Sequence, residues 1–232
     1  MKIKLVSFDV WDTLLRLDVF FKTISRILSE QNSIDQEKSF KKLIEAYKKA
    51  KDLRRNGALG KNVVFASTKI VSETLGIEEE EVRRTIAKAI VETNPEELTI
   101  EGARNTLKEI QELNIKTATL GNVLFWPGSY TRVLLERTGL SNYIDLQLYA
   151  DEIELQKPQK EAFEFLLKQF LVKPEETMHV GDGLHEDFAG AIISGLVAVV
   201  VVPNLSDVVK LGERAFAIPS INYVGKILSS LT

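Results

Sequence analysis

Two aspartates three residues apart, Asp9 and Asp12, follow the apolar run LVSF in LVSFDVWDTLL, residues 5–15, and Thr13 stands directly after them. A second acidic group lies far along the chain in GDGLHED, residues 181–187, which carries Asp182, Glu186 and Asp187. Between these stretches, Gly121-Asn122 closes a short β-favouring run and Lys157-Pro158 opens a helical one. Asp9, Asp182 and Asp187 brought together would repel one another unless a cation lay among them. Mg²⁺ suits that role, since it takes octahedral oxygen ligation from one or two carboxylates plus substrate phosphate oxygens. A carboxylate nucleophile at Asp9, a hard cation, Lys157 to hold an anionic substrate, and neutral donors at Thr13 and Asn122 make a site for phosphoryl transfer through an aspartyl-phosphate. Each residue alone carries little; their order and placement carry the reading.

The elements that would position them follow from pattern. Residues 3–8, 116–120, 144–149, 177–180 and 197–202 are short and β-favouring, and all but the first follow a helical stretch. Strands alternating with helices predict a doubly wound, Rossmann-like parallel α/β sheet covered on both faces. In such a sheet ligands bind beyond the carboxyl ends of the strands, which is where all the residues above fall. Asn114, Gly139 and Gly195 mark expected helix ends. Residues 18–93 contain no strand pattern. Phe20, Ile24, Ile27 and Leu28 share one helical face, as do Phe40, Leu43, Ile44 and Tyr47, and later Val82, Ile86, Ala89 and Ile90. Ser33 with Gln36 predicts a capping-box start for the second of these helices. An all-helical module of four helices, residues 17–94, is therefore expected inside a core made of 1–16 and 95–232.

With these residues in place the sequence resembles the haloacid dehalogenase-like hydrolases, in particular phosphatase-type members with a helical cap. FDVWDTLL matches the family's nucleophile motif at Asp9 and Thr13, Lys157-Pro158 its lysine motif, and GDGLHED its metal-binding aspartate motif. The resemblance covers nearly the whole chain. It implies a phosphoaspartate on Asp9 and a Mg²⁺ site from Asp9, Asp182 and the backbone carbonyl of Trp11. Asp187 is expected either as an outer-shell metal residue or as a helix cap. The expected partner is a small phosphorylated metabolite.

Two positions depart from the family. Its phosphatases have their acid/base aspartate where this chain has Trp11, and an indole cannot move the catalytic proton. General acid–base catalysis contributes about 10²–10⁴-fold, so its loss would slow turnover without necessarily ending it. Asp12, one place later, is the candidate replacement, with an N-cap or turn role as the alternative. The family's second motif has serine or threonine where Gly121 stands; Gly121 is assigned to substrate binding, with Thr119 two residues earlier. Two further readings stay open: a 2-haloacid dehalogenase, for which Arg16 or Trp126 could hold halide, and a weakly catalytic binding or regulatory module. The retained Asp182 argues against the first, and the retained Asp9, Lys157 and Asp182 against the second.

The basic stretch KKAKDLRRNGALGK, residues 48–61, reads either as a solvated helix face or as a substrate-selecting loop bringing Arg54 or Arg55 to the site. Trp126 lines the pocket entrance or simply packs, His179 is expected to be packed and His185 at the surface. A net charge of −3 does not favour a nucleic-acid partner. With no cysteine and two histidines, disulfides, thiolate chemistry and histidine-rich zinc sites have almost nothing to draw on. No apolar stretch approaches the length of a membrane helix and no leader pattern is present. The expectation is a cytoplasmic monomer or homodimer without membrane contact.

Overall fold

The computed structural model describes residues 2–32 and 34–231. β1 (Leu5–Phe8) leads through a tight turn into four helices: α1 (Leu17–Asn32), α2 (Gln36–Arg55), α3 (Val63–Leu75) and α4 (Glu79–Glu92). The short α5 (Pro95–Leu98) and α6 (Ala103–Glu112) return the chain to β2 (Lys116–Gly121). Then follow α7 (Gly128–Arg137), β3 (Leu146–Tyr149), α8 (Ala150–Ile153), α9 (Lys160–Phe170) and β4 (Thr177–Gly181). The chain ends with α10 (Gly190–Ile193), β5 (Val197–Val201), β6 (Val209–Gly212), β7 (Ala215–Ile218) and α11 (Val224–Leu231).

Among the described residues the strands form one seven-stranded sheet in the order β3-β2-β1-β4-β5-β7-β6, parallel except for β6 against β7. Because β1 runs to β2 on one side while β4 and β5 lie on the other, the order reverses between β1 and β4. That is the switch point at which an open sheet leaves a crevice. β1 reads LVSF and all four residues are buried, as a strand covered on both faces must be. The left-handed helix ends expected from the sequence are present at Asn114 (φ 55°), Gly139 (φ 70°) and Gly195 (φ 81°).

α1 packs against α2 and α4, and α3 against α2 and α4, so the four helices form a bundle of their own. The predicted apolar stripes face inward: Phe20, Ile24, Ile27 and Leu28 on α1 and Val82, Ile86, Ala89 and Ile90 on α4 are all buried. The expected capping box at Ser33 falls outside the described residues; the N-cap of α2 is Asp35, whose carboxylate accepts from the N–H of Lys38 at 2.8 Å. The chain leaves and rejoins the core side by side. Arg16 donates its N–H to the carbonyl of Leu98, and Ile100 to that of Leu14.

Candidate active site at the switch point

Asp9 follows β1 directly, and its backbone N–H is fixed to the carbonyl of Val180 on β4 at 2.8 Å. Its carboxylate meets Lys157, whose ammonium bridges Asp9 Oδ1 at 2.8 Å and Asp187 Oδ1 at 2.6 Å. Lys157 is buried, 3% exposed, so the amine sits where water cannot solvate it. Desolvation would lower its pKa, but the charges of Asp187 and Asp9 outweigh that and raise it, which keeps the ammonium charged. Asn122 sets the lysine's backbone: its side chain donates to the carbonyl of Lys157 and accepts from its N–H, both at 2.9 Å.

Ligand oxygens of Asp9, Asp182 and Asp187 lie within 4.8 Å of one another. Asp182 is itself exposed, but partial desolvation and then the charges of Asp9, Asp187 and Asp12 push its carboxyl up to about 7. Desolvation raises Asp9 to about 6, against the pull of Lys157. Crowded carboxylates raised in this way are what a divalent cation relieves, and an all-oxygen donor set fits Mg²⁺. Asp187 behaves oppositely. Burial opposes its ionisation, yet Lys157 and His179 hold its carboxyl below the usual range.

The loop that carries Asp182 and Asp187 is shaped by glycines. A Cβ on Gly181 would lie 2.3 Å from Asp187 Cγ, so any larger residue would drive the carboxylate out of its seat. From that seat Asp187 accepts from the N–H of Gly183 at 2.9 Å. The helix expected to end at Gly195 begins as a wider π turn at Leu184–Ala189 before α10, with the Phe188 N–H reaching back to the Gly183 carbonyl. His179 completes the arrangement. Its Nε2 lies 3.2 Å from Asp187 Oδ1 and its Nδ1 2.7 Å from Ser7 Oγ, while burial lowers its pKa and keeps it neutral. The tautomer with a proton on Nε2 satisfies both contacts.

Thr13 is buried and its hydroxyl has no hydrogen-bond partner among the described residues, a donor left unpaired beside the end of β1. Asp12 occupies the left-handed region at φ 57°, and its Oδ1 accepts the N–H of Leu17, the first residue of α1, at 3.1 Å. The turn role foreseen for Asp12 is thus present. Its Oδ2 makes no hydrogen bond among the described residues, and the group is near enough for its charge to act on Asp182. Trp11 is committed to packing: its ring stacks on Phe20 at 5.3 Å and meets Trp126 edge-on at 5.2 Å. Trp126 packs as well, 3% exposed, its Nε1 donating to Thr131 Oγ1 at 3.2 Å.

Gly121 ends β2 with Tyr149 so close that a Cβ would lie 2.9 Å from Cδ1 of that ring. The buried tyrosine occupies the space that a serine or threonine side chain would need there. Arg54 and Arg55 do reach the core, but a carboxylate is waiting for them. Arg54 Nη2 lies 3.2 Å from Glu186 Oε1 and its Nη1 3.4 Å from the Val123 carbonyl; Arg55 takes both Glu186 oxygens at 2.8 and 2.9 Å. Burial would raise Glu186, but the hydrogen bond from Arg55 and the charges of Lys51, Arg55 and Arg54 pull it down to about 2. Arg16 is exposed and paired with Asp18, and His185 is exposed. Sequence reasoning gave no role to Glu186, to Lys51 or to the link from His179 to Asp187.

The profile of the haloacid dehalogenase-like hydrolases matches residues 3–195. The chain belongs to that family. Within it, a ribulose-1,5-bisphosphate 5-phosphatase from Halopiger xanaduensis is 34% identical over 114 residues, 49% of this chain and 46% of that protein. A glyceraldehyde 3-phosphate phosphatase from Methanothermobacter thermautotrophicus is 25% identical over 211 residues, 88% of each chain. Among solved structures, the hydrolase YfnB from Bacillus subtilis, bound to magnesium, superposes with a TM-score of 0.76 at 19% identity, covering 98% of this chain and 99% of that one. L-2-haloacid dehalogenase from Xanthobacter autotrophicus superposes at 0.73 with 14% identity over 99% and 100% of the two chains. At those identities the two structures speak for the fold, which phosphatase and dehalogenase members share. No helix among the described residues is long and apolar enough to cross a membrane.

Proposed function

We propose that this haloacid dehalogenase-like hydrolase is a Mg²⁺-dependent phosphatase of small phosphomonoesters that works through an aspartyl-phosphate on Asp9. The observation that carries the reading is Lys157, buried and bridging Asp9 and Asp187 at the switch point beside Asp182. Two phosphatases among the relatives support the reaction class. In the proposed reaction an oxygen of Asp9 attacks phosphorus and the ester oxygen leaves. Lys157, the Thr13 hydroxyl and Asn122 stabilise charge on the transferring group, and water then cleaves the phosphoaspartate. Asp9, Asp182 and the Trp11 carbonyl would hold Mg²⁺, with Asp187 behind them; bound there, the ion supplies charge neutralisation of phosphoryl oxygens. Asp12 is the proposed acid/base, through the oxygen that does not hold Leu17. Gly121, buried against Tyr149, would contribute to substrate binding only through its backbone.

Residues 17–94 are proposed as a cap that closes over the site and excludes bulk water, with Arg54 and Arg55 fixing its edge to the core. The test is phosphate release from p-nitrophenyl phosphate with and without Mg²⁺. Release that requires Mg²⁺ and falls to background in Asp9→Asn supports the reading. Release that survives Asp9→Asn refutes it. Asp12→Asn separates the acid: a loss of about 10²-fold or more assigns the proton transfer to Asp12, and a change of a few-fold restricts it to the turn.

A further inference from the structure

Three cations of α2 fall on one side of the helix, and two of them are already paired. At 3.6 residues per turn, Tyr47, Lys51, Arg54 and Arg55 cover an arc of about 100°. Along the helix axis, both ends of this stretch are tied to the core. Tyr47 meets Phe125, in the loop after β2, edge-on at 6.3 Å between ring centres. Arg54 and Arg55 are bound to Val123 and Glu186. Lys51 lies between these two attachments on the same face, so it overhangs the gap between the loop after β2 and the loop after β4. That gap is the mouth of the site holding Asp9 and Asp182.

Unpaired lysines on a solvated face are ordinary, and neighbouring Lys48 and Lys49 are exposed residues of that kind. Lys51 differs from them. It is half-buried, its ammonium stands 6.0 Å from the Tyr47 ring centre, and it forms no ion pair with a carboxylate among the described residues. Its charge nonetheless acts on Asp12, Asp182 and Glu186, which the segments after β1 and β4 carry. The phosphoryl group, on the proposed reading, is held at the floor by Lys157. A second cation suspended above it faces the part of the substrate that leaves.

We propose that Lys51 is a specificity determinant that receives a second anionic group, a carboxylate or another phosphate, carried by the substrate's leaving portion. The inference rests on the phosphatase reading and adds to it the substrate class: phosphomonoesters bearing a further negative charge. A hydrogen bond to a charged partner changes affinity by a factor of about 10 to 100.

The test compares 3-phosphoglycerate, which has a carboxylate, with glycerol 3-phosphate, which has a hydroxymethyl group in its place. The expected ratio of kcat/KM, first probe over second, exceeds about tenfold in the native protein, collapses toward unity in Lys51→Gln and is restored in Lys51→Arg. A ratio that Lys51→Gln leaves unchanged overturns the assignment, while Asp9-dependent release from either probe keeps the phosphatase reading intact. If neither probe is hydrolysed, Asp9-dependent release from p-nitrophenyl phosphate decides the phosphatase reading on its own. Calorimetric titration of both probes, with Mg²⁺ present, then decides the Lys51 assignment without turnover: a carboxylate preference that vanishes in Lys51→Gln supports it, and equal binding overturns it.

Discussion

Thr13 and Gly121 show how single positions are set by what surrounds them. A buried hydroxyl without a partner costs about 1–3 kcal/mol, and Thr13 bears that cost beside the nucleophile. Thr13→Val keeps the shape and removes the unpaired group. The expected result is stability in urea equal to or up to about 2 kcal/mol above the native protein, with phosphate release reduced. A loss of stability would mean the hydroxyl has a structural partner instead. At Gly121 the opposite change is instructive. Gly121→Ser pushes a Cβ to 2.9 Å from the fully buried Tyr149 ring and is expected to lower stability by about 1–3 kcal/mol, with partial recovery in the Gly121→Ser, Tyr149→Leu double variant. Additive losses in that double-mutant cycle would remove Tyr149 as the reason for glycine. The position that the family resemblance assigns to an acid is likewise committed here, because the Trp11 ring joins the Phe20 and Trp126 cluster.

Elements transmit such constraints through pairs far apart in sequence. Glu186, next to Asp187 on the loop after β4, is held by Arg54 and Arg55 at the end of α2, more than a hundred residues earlier. Arg54 and Glu186 are nearly inaccessible, with side-chain exposures of 7% and 6%. Glu186→Gln leaves the Arg54 charge buried against a weaker partner and is expected to cost about 3 kcal/mol by urea unfolding. A value under about 1 kcal/mol would make the contact a surface-like pair. At the opposite end of the sheet, Asp145 ties the start of β2 to the chain before β3. Burial would raise its carboxyl, but the ammonium of Lys116 and the N–H of Thr117 together hold it below its usual 3.8. A depressed acid contributes stability above its unfolded value and loses it as pH falls through the folded one. Asp145→Asn is therefore expected to be less stable than the native protein by about 1 kcal/mol at neutral pH and indistinguishable from it well below 3.8. A gap that persists at low pH would assign the loss to packing.

How much of this was legible follows from the range of each signal. The helix faces at Phe20–Leu28 and Val82–Ile90 and the motif order from Asp9 to Asp187 are local patterns, and each appears where the sequence puts it. β6 and β7 escaped notice because VKLG and AFAI are only four residues each, and VKLG is exposed along its whole length. The Arg54–Glu186 contact and the His179–Asp187 contact depend on how the chain returns, which no local pattern encodes. The same global arrangement gathers Asp9, Asp182 and Asp187, and for the whole molecule that has an energetic consequence. Asp182 is raised to about 7, so above that pH its ionised form opposes folding, whereas below 3.8 it is neutral in both states and costs nothing. Removing the charge with Asp182→Asn is expected to stabilise the metal-free protein at a pH above 7, by on the order of 1 kcal/mol after solvent screening. Saturating Mg²⁺ should reverse the ranking: a hundredfold excess over its Kd stabilises a protein that binds it by about 2.7 kcal/mol, and Asp182→Asn should forfeit most of that gain. Urea unfolding of both proteins, in EDTA and in Mg²⁺, reads all four values. An equal Mg²⁺ gain in the variant would place the ion elsewhere and leave the crowded carboxylates to be balanced by Lys157 alone.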